Sequence, residues 1–278
     1  LLSPSMPINQ ISYILSNTSG AYNLTKITIP EGFSIEQIGQ TLESNNICSK
    51  TEFMTFVKTK AKQKFIKKYP FLTQFSQQTL EGYLFPETYY FKENETLSTI
   101  TQTMLNEFNK RIYIPFMSIT PKTNTYKLNF HQLVTLASMI EKESRISSEM
   151  TIISSVFYNR LKKRMPLASD PTIIYALGKS YKERVLYKDL EVNSLYNTYK
   201  KRGLPPTPIA SPGTNAFNAA CNPDQTHYLF FVAKNDGSHF FSRTYKEHLA
   251  FQNSLKQWDL LFSKTKILST YLISKGSL

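Results

Sequence analysis

The sequence predicts an α+β fold, in which a small strand, turn and helix unit precedes a larger, mixed, helix-rich region closed by a β-hairpin and a last helix. Three observations carry this expectation. Apolar residues recur at helical spacing along several stretches, as in Leu133, Leu136, Ala137 and Ile140. Alternating, strand-like runs are short and widely separated. The sequence has no internal repeat and no Walker loop, GxGxxG or G-x-S-x-G, so it lacks the motifs of nucleotide-binding and α/β-hydrolase folds.

The elements follow in order. Leu1 to Thr25 carries no charged side chain but is too rich in Ser, Pro and Asn to span a membrane, and it reads as the start of a folded or partly ordered region. Ile27-Thr28-Ile29 alternates as a strand, Pro30-Glu31-Gly32 turns, and Ser34 with Gln37 predicts a capping box for a helix whose apolar side is Ile35, Ile38 and Leu42. Lysines 58, 60, 62, 64, 67 and 68 surround Phe65 and Ile66, which suits a solvated helix face or a contact with an anionic surface. Gly82 to Phe91 is aromatic and broken by Pro86, as in a buried connector or strand, and a domain boundary is expected just before it. Leu97 to Phe108 reads as a helix and Pro115 to Thr125 as a connection.

Helices are expected at His131 to Ser144 and at Ser147 to Arg164, and a third is expected to be capped by Ser169-Asp170-Pro171 and stopped by Gly178. With four prolines, Gly203 to Gly213 reads as a stiff surface or cleft-lining loop. Tyr228 to Ala233 and His239 to Phe241 form a hairpin about Asn235-Asp236-Gly237, and Tyr245 to Leu260 is the closing helix, with Leu249, Leu255 and Trp258 on its buried side.

Composition narrows the function. The chain has 278 residues, 41% hydrophobic and 13% aromatic, enough for a sizeable core and unlike a disordered chain. With 33 Lys and Arg against 20 Asp and Glu, a net charge of +13 makes polyanions or an anionic membrane face plausible neighbours. Cys48 and Cys221 lie far apart, which argues against a disulfide framework and a cysteine-rich zinc site. His227, His239 and His248 lack close metal-ligand spacing, so a metal site is not expected, and no cofactor is expected either. The chain starts at Leu1 without Met, which suggests that any preceding targeting or anchoring segment is missing.

The expected helix from His131 carries two carboxylates. At about 100° per residue, Glu143 lies about 20° from Leu136 and so on the apolar face, whereas Glu141 lies about 200° away from it. Burial of Glu143 at a helix end would raise its pKa towards the range of a general acid; pairing with a nearby cation is the alternative. Asp170 reads as a capping residue more readily than a catalytic one. Tyr158-Asn159-Arg160 and Tyr196-Asn197-Thr198-Tyr199 have side chains of the kind that bond and stack on sugars, or that sit half-buried in a core.

Leu136-Ala137-Ser138-Met139-Ile140-Glu141-Lys142-Glu143-Ser144, Ser155 to Leu161, Ser169-Asp170-Pro171-Thr172, Tyr196-Asn197-Thr198-Tyr199 and Gly203-Leu204-Pro205-Pro206, in that order, resemble the YceG-like family of endolytic peptidoglycan transglycosylases. Similarity runs from about Ile27 to Leu260. The resemblance implies a LysM-like peptidoglycan-binding subdomain, shortened, over residues 1–78, a catalytic domain over 79–265 and a tail over 266–278. It implies Glu143 as the catalytic acid, and Ser169, Asp170, Tyr196, Asn197 and Thr198 are hypothesised substrate-binding residues within the matching motifs. It further implies action on glycan strands outside the cytoplasmic membrane, anchoring by an N-terminal helix absent from this chain, proximity to cell-wall synthases and termination of nascent strands; no nucleic-acid partner is expected, because the lysines do not alternate with an exposed aromatic series.

The chemistry implied by the resemblance needs one acid. Glu143 would protonate the oxygen between N-acetylmuramic acid and N-acetylglucosamine, then take the proton of the sugar's C6 hydroxyl as a 1,6-anhydro ring closes. Such a site should lack a second carboxylate placed for retaining or inverting hydrolysis, about 5–10 Å away. A muramidase-type hydrolase and a non-catalytic peptidoglycan-binding scaffold are the alternatives.

Overall fold

The computed structural model describes residues 6–16, 24–118, 128–179 and 185–255. In chain order these form α1 (Ile8–Ser16), β1 (Thr25–Thr28), α2 (Ile35–Ser44), α3 (Lys50–Thr59), α4 (Ala61–Phe65), β2 (Thr88–Phe91), α5 (Leu97–Phe108), α6 (Ile114–Ser118), α7 (Phe130–Glu143), α8 (Met150–Lys162), α9 (Asp170–Leu177), α10 (Thr214–Cys221), β3 (Phe230–Ala233), β4 (His239–Ser242) and a last helix, α11, over 245–255. The α+β expectation holds: two separate two-stranded antiparallel sheets sit among helices.

Local signals account for most of this. The Ser34–Gln37 capping box is present, and Ile35, Ile38 and Leu42 of α2 are buried. Thr96 caps α5 by accepting from the Thr99 N–H. Gly178 ends α9 in the left-handed conformation at φ 62°. The β3–β4 hairpin turns at Gly237, φ 84°, with Phe231 opposite Phe241.

Departures from expectation have local causes. Residues 109–118 continue helically from α5 through a π turn and α6, so the expected connection from Pro115 begins as helix; the π turn just before Pro115 breaks the regular ladder where the proline has no N–H to contribute. Residues after Ser118 in that stretch, and Trp258 of the closing helix, lie outside the described residues. The first turn of the helix expected from Ser147 is 3-10, and α10 was not expected at all, because TNAFNAAC is short, mixes three alanines with Thr, Asn and Cys, and follows Pro212-Gly213. Of the six lysines near Phe65, five are exposed, but Lys62 is buried: its Nζ donates to the carbonyls of Phe75 and Gln77 and lies 4.1 Å from the Phe75 ring centre.

β1 pairs with β2 from Thr25–Phe91 to Thr28–Thr88, so the first strand is completed by residues sixty positions on. A single apolar core runs from Ile27 through the aromatic group of Phe71, Phe75, Tyr83, Phe108 and Phe130 to Ala220. At its centre lies α7, in which every residue from Phe130 to Ile140 except Gln132 is buried.

The loop 203–213 lies against α7 and is mostly buried, which makes it an internal wall. Its backbone therefore needs protein partners. Three polar residues of α7 supply them: His131 Nε2–H donates to the Pro206 carbonyl at 3.0 Å, Ser138 Oγ accepts from the Ile209 N–H at 3.0 Å, and Glu141 accepts from the Gly213 N–H at 2.9 Å. Tyr83 donates to His131 Nδ1 at 2.7 Å, fixing that tautomer, and burial lowers the histidine's pKa and keeps it neutral.

Gly82 meets the same wall at φ 85°, and a Cβ there would lie 2.3 Å from Cβ of Pro208, whose ring cannot swing aside. Gly82→Ala is expected to destabilise the chain by about 2–4 kcal/mol, the sum of a strained φ and an overpacked contact, measured by urea unfolding. A change below about 0.5 kcal/mol would show that the wall yields freely.

Candidate active site

The capping box of Asn129 with Gln132 starts α7, and the helix ends at Glu143. The side chain of Glu143 follows the apolar arc of Leu133, Leu136 and Ile140, as its angular position requires, while Glu141 turns away to Gly213. Glu143 keeps some accessible surface, yet enough protein surrounds its carboxyl that desolvation dominates and pushes its pKa up to about 7. The charge of Asp170 adds to the rise, while the Ser169 hydrogen bond and the Arg160 charge oppose it. A carboxylate at the negative end of a helix is disfavoured in the same direction.

Ser169 is the residue that touches this acid. It sits at the N-cap position of α9 but its side chain makes no cap bond; the hydroxyl donates instead to Glu143 Oε1 at 2.6 Å. Capping by a Ser side chain is worth about 1 kcal/mol in ordinary helices, so the hydroxyl has been diverted at a local cost. A small network holds it there. The Ser169 N–H donates to Thr198 Oγ1, Thr172 Oγ1 donates to the Ser169 carbonyl, and the two threonine hydroxyls bond each other at 2.8 Å. Ala168, just before, is held at φ 48°, uncommon for a residue with a Cβ.

The other expected site residues divide into two groups. Asp170 is exposed in the first turn of α9 and does not cap it; its Oδ1 accepts from the Tyr199 hydroxyl at 2.5 Å. Ser169, Asp170 and Thr198 are thus brought to Glu143. Asn197 is fully buried with its amide completely used: Nδ2 donates to Leu190 and Val192, and Oδ1 accepts from the Tyr199 and Lys200 N–H groups. It shapes the loop and has no hydrogen-bonding capacity left for a ligand. Tyr196 bonds Thr207 at 2.7 Å and packs against Tyr175. Tyr158 and Asn159 likewise serve the fold, bonding the carbonyls of Ala220, Thr226 and Tyr228.

Two residues of those motifs belong to the site although spacing did not single them out. Arg160 spans to it: its guanidinium donates to the carbonyls of Leu229 and Leu167, stacks on Phe230 and acts electrostatically on Glu143. Tyr199 holds Asp170, and burial together with that carboxylate raises its pKa, so it remains a neutral donor. Both lie within the quoted sequence motifs, and three-dimensional proximity supplies what sequence spacing could not.

A second acid is also shifted to about 7 by burial. Glu81 accepts from the Ile35 N–H with one oxygen and from Tyr175 with the other, so both oxygens are engaged in tying β1–α2 to α9. Glu143 has one oxygen bonded by Ser169 and the other available, which is the arrangement a proton donor needs. A groove of about 350 Å³ runs between α2 and α9, lined among others by Gln37, Gln40, Lys142, Pro171, Tyr175 and Ile209; Glu143, Ser169 and Asp170 are not among its lining residues. Among the described residues no cluster of His, Cys, Asp and Glu is placed to hold a metal ion.

Fold and site together define a helix-rich α+β protein with one desolvated, serine-oriented acid at a helix end. The chain belongs to the YceG-like family, which matches residues 1–254. It is 42% identical over 240 residues to an endolytic murein transglycosylase of Bacillus subtilis (strain 168), covering 83% of this chain and 65% of the relative. It is 32% identical over 248 residues to an endolytic murein transglycosylase of Streptococcus pneumoniae (strain ATCC BAA-255 / R6), covering 81% of this chain and 43% of the relative. The chain thus spans less than two thirds of the length of these relatives. A solved structure of a putative yceG-like protein from Listeria monocytogenes, 35% identical, superposes with a TM-score of 0.72 over 90% of this chain and 82% of that one.

Glu143 ionises near 7 in the folded chain and near 4.5 when unperturbed, so between these values the folded state holds the extra proton and stability falls as pH rises. Relative to Glu143→Gln, the parent is expected to lose up to about 3 kcal/mol of stability between pH 4.5 and 8. Urea unfolding of both chains across this range measures it; a pH-independent difference would contradict the raised pKa.

Proposed function

We propose that this protein is an endolytic peptidoglycan lytic transglycosylase acting on the bond between N-acetylmuramic acid and N-acetylglucosamine, with Glu143 as acid and then base. The carrying observation is a carboxyl with pKa near 7 that offers one unengaged oxygen. Because Ser169 donates to Oε1, the acid's own proton belongs on Oε2, which fixes the donating atom. From there it passes to the glycosidic oxygen as the bond to the sugar's anomeric carbon breaks. The carboxylate left behind then accepts the C6 hydroxyl proton while that oxygen closes the 1,6-anhydro ring, so no water is consumed. Asp170, whose charge acts on Glu143, is assigned an electrostatic role in this scheme, and Tyr199 keeps its orientation.

The names of the relatives support murein as substrate. Ser169 and Asp170 are proposed to face substrate, while Thr198, Asn197 and Tyr196 hold the loop that carries Tyr199. Strand binding by residues 1–78, catalysis by 79–265, action outside the cytoplasmic membrane, attachment to it, proximity to cell-wall synthases and termination of nascent strands belong to the same proposal. Among the described residues no helix is long and apolar enough to cross a membrane.

One observation favours a second reading. Asp170 is a nearby carboxylate, and a muramidase-type hydrolase uses two. Product analysis on purified sacculi separates the two: anhydro ends mean transglycosylation and reducing ends mean hydrolysis. Glu143→Gln should lower the release of anhydro products by about 10²–10⁴-fold, and release at the parental rate would remove Glu143 from the mechanism.

Activity should fall as pH rises through about 7, where Glu143 loses its proton. Ser169→Ala removes a bond that lowers this pKa, so the alkaline limb should move to higher pH; Asp170→Asn removes a charge that raises it and should move the limb lower. Unmoved limbs in both variants would show that another group controls the profile.

A further inference from the structure

Two lysine-arginine runs of identical sequence, Lys162-Lys163-Arg164 and Lys200-Lys201-Arg202, lie 38 positions apart in the chain. The fold brings them together. Pro166 forms an antiparallel β-bridge with Arg202, and the Ala168 N–H donates to the Thr198 carbonyl at 3.0 Å, so the segments that follow the first run and contain the second are paired. All six cations are exposed, and among the described residues only Lys200 is in an ion pair, with Glu191. Helix polarity accounts for cations at the C-terminal end of α8, but Lys200 to Arg202 lie outside any helix, so that explanation covers half of the cluster.

The same loop carries exposed apolar side chains. Tyr187 is 92% exposed, Leu195 68% and Leu186 46%, three of the large hydrophobic residues left uncovered in the described chain. The loop is compact: Asn197 holds the carbonyls of Leu190 and Val192, and Lys200 Nζ bonds the Glu191 carbonyl. Exposed Tyr and Leu in the stretch that leads into a group of Lys and Arg match the water–lipid interface, where apolar groups enter the headgroup boundary and cations meet anionic headgroups.

We propose that the surface built from Lys162, Lys163, Lys201 and Arg202 with Tyr187 and Leu195 docks this domain onto an anionic lipid bilayer. The apolar side chains decide between lipid and a soluble polyanion, for which cations alone would suffice. The lysine run near Phe65 is the informative contrast: it has five exposed lysines, but Phe65 is buried and Ile66 half-buried, so it presents no fully exposed apolar side chain of its own to a bilayer. Docking here would also hold the Glu143 site beside the membrane, since Tyr199, which precedes the second run, bonds Asp170. The inference does not depend on the proposed reaction.

The test is co-sedimentation of the 278-residue chain with vesicles of phosphatidylcholine alone or with 30% phosphatidylglycerol. Binding to the anionic vesicles should exceed binding to neutral ones and weaken with salt. Lys162→Glu with Lys163→Glu and Lys201→Glu should weaken it tenfold or more. The matched control, Lys58→Glu with Lys60→Glu and Lys64→Glu, should change it less than threefold, and thermal unfolding should show both variants folded. Tyr187→Ser with Leu195→Ser should weaken binding severalfold at a salt concentration that screens the charges. Equal loss in the control would assign the effect to net charge and overturn the proposal. Loss of affinity for soluble polyglutamate but not for vesicles, or no effect of the Tyr187 and Leu195 changes, would overturn it in favour of a soluble polyanion.

Discussion

The burial of α7 around almost its whole circumference is the constraint on which the rest of the structure depends. A helix surrounded by protein cannot leave polar groups unpaired, so each polar residue along it has been given a partner. His131, Ser138 and Glu141 take up backbone groups of the loop 203–213, and that loop in turn closes one side of the core with Gly82 packed against Pro208. Only at the last turn does the covering thin out. There Glu143 retains enough contact with solvent to reach a ligand and enough surrounding protein to keep its proton near neutrality.

The comparison of Glu143 with Glu81 shows that a raised pKa is not by itself a functional signal. Both acids are pushed to about 7 by the same cause, desolvation. They differ in what their oxygens meet. Glu81 bonds a helix N-terminal N–H and a tyrosine and acts as a structural tie, whereas Glu143 meets one serine hydroxyl and leaves an oxygen over. The diversion of Ser169 from its cap and the positive φ of Ala168 fit the general pattern in which local stability is given up where geometry must be held for chemistry.

Much of the fold was legible because its signals are local. The Ser34–Gln37 box, the run from Leu97 to Phe108, Gly178 and the turn at Gly237 depend on residues a few positions apart. Where prediction failed, the competing influence was tertiary. The α10 sequence, three alanines among Thr, Asn and Cys, is indecisive on its own but packs along α7 and α8, and at Pro115 the helical run continues through a π turn that lies just before it. The loop 203–213 reads as rigid from its prolines, yet nothing in those prolines says that it is buried; that follows from α7's polar stripe.

The same division runs through the site. Sequence periodicity by itself determined that Glu143 lies on the buried arc of its helix and Glu141 does not, because 3.6 residues per turn fixes relative direction without knowledge of any neighbour. Motif order pointed to the segments around Ser169 and Tyr199. Which atoms meet was decided only by tertiary structure: that Ser169 bonds Glu143, that Asp170 answers to Tyr199 and not to its own helix, that Asn197 is consumed by its loop, and that two distant Lys-Lys-Arg runs become neighbours. Hydrogen bonds depend on distances of tenths of an ångström between residues far apart in the chain, and no periodicity within one helix carries that information.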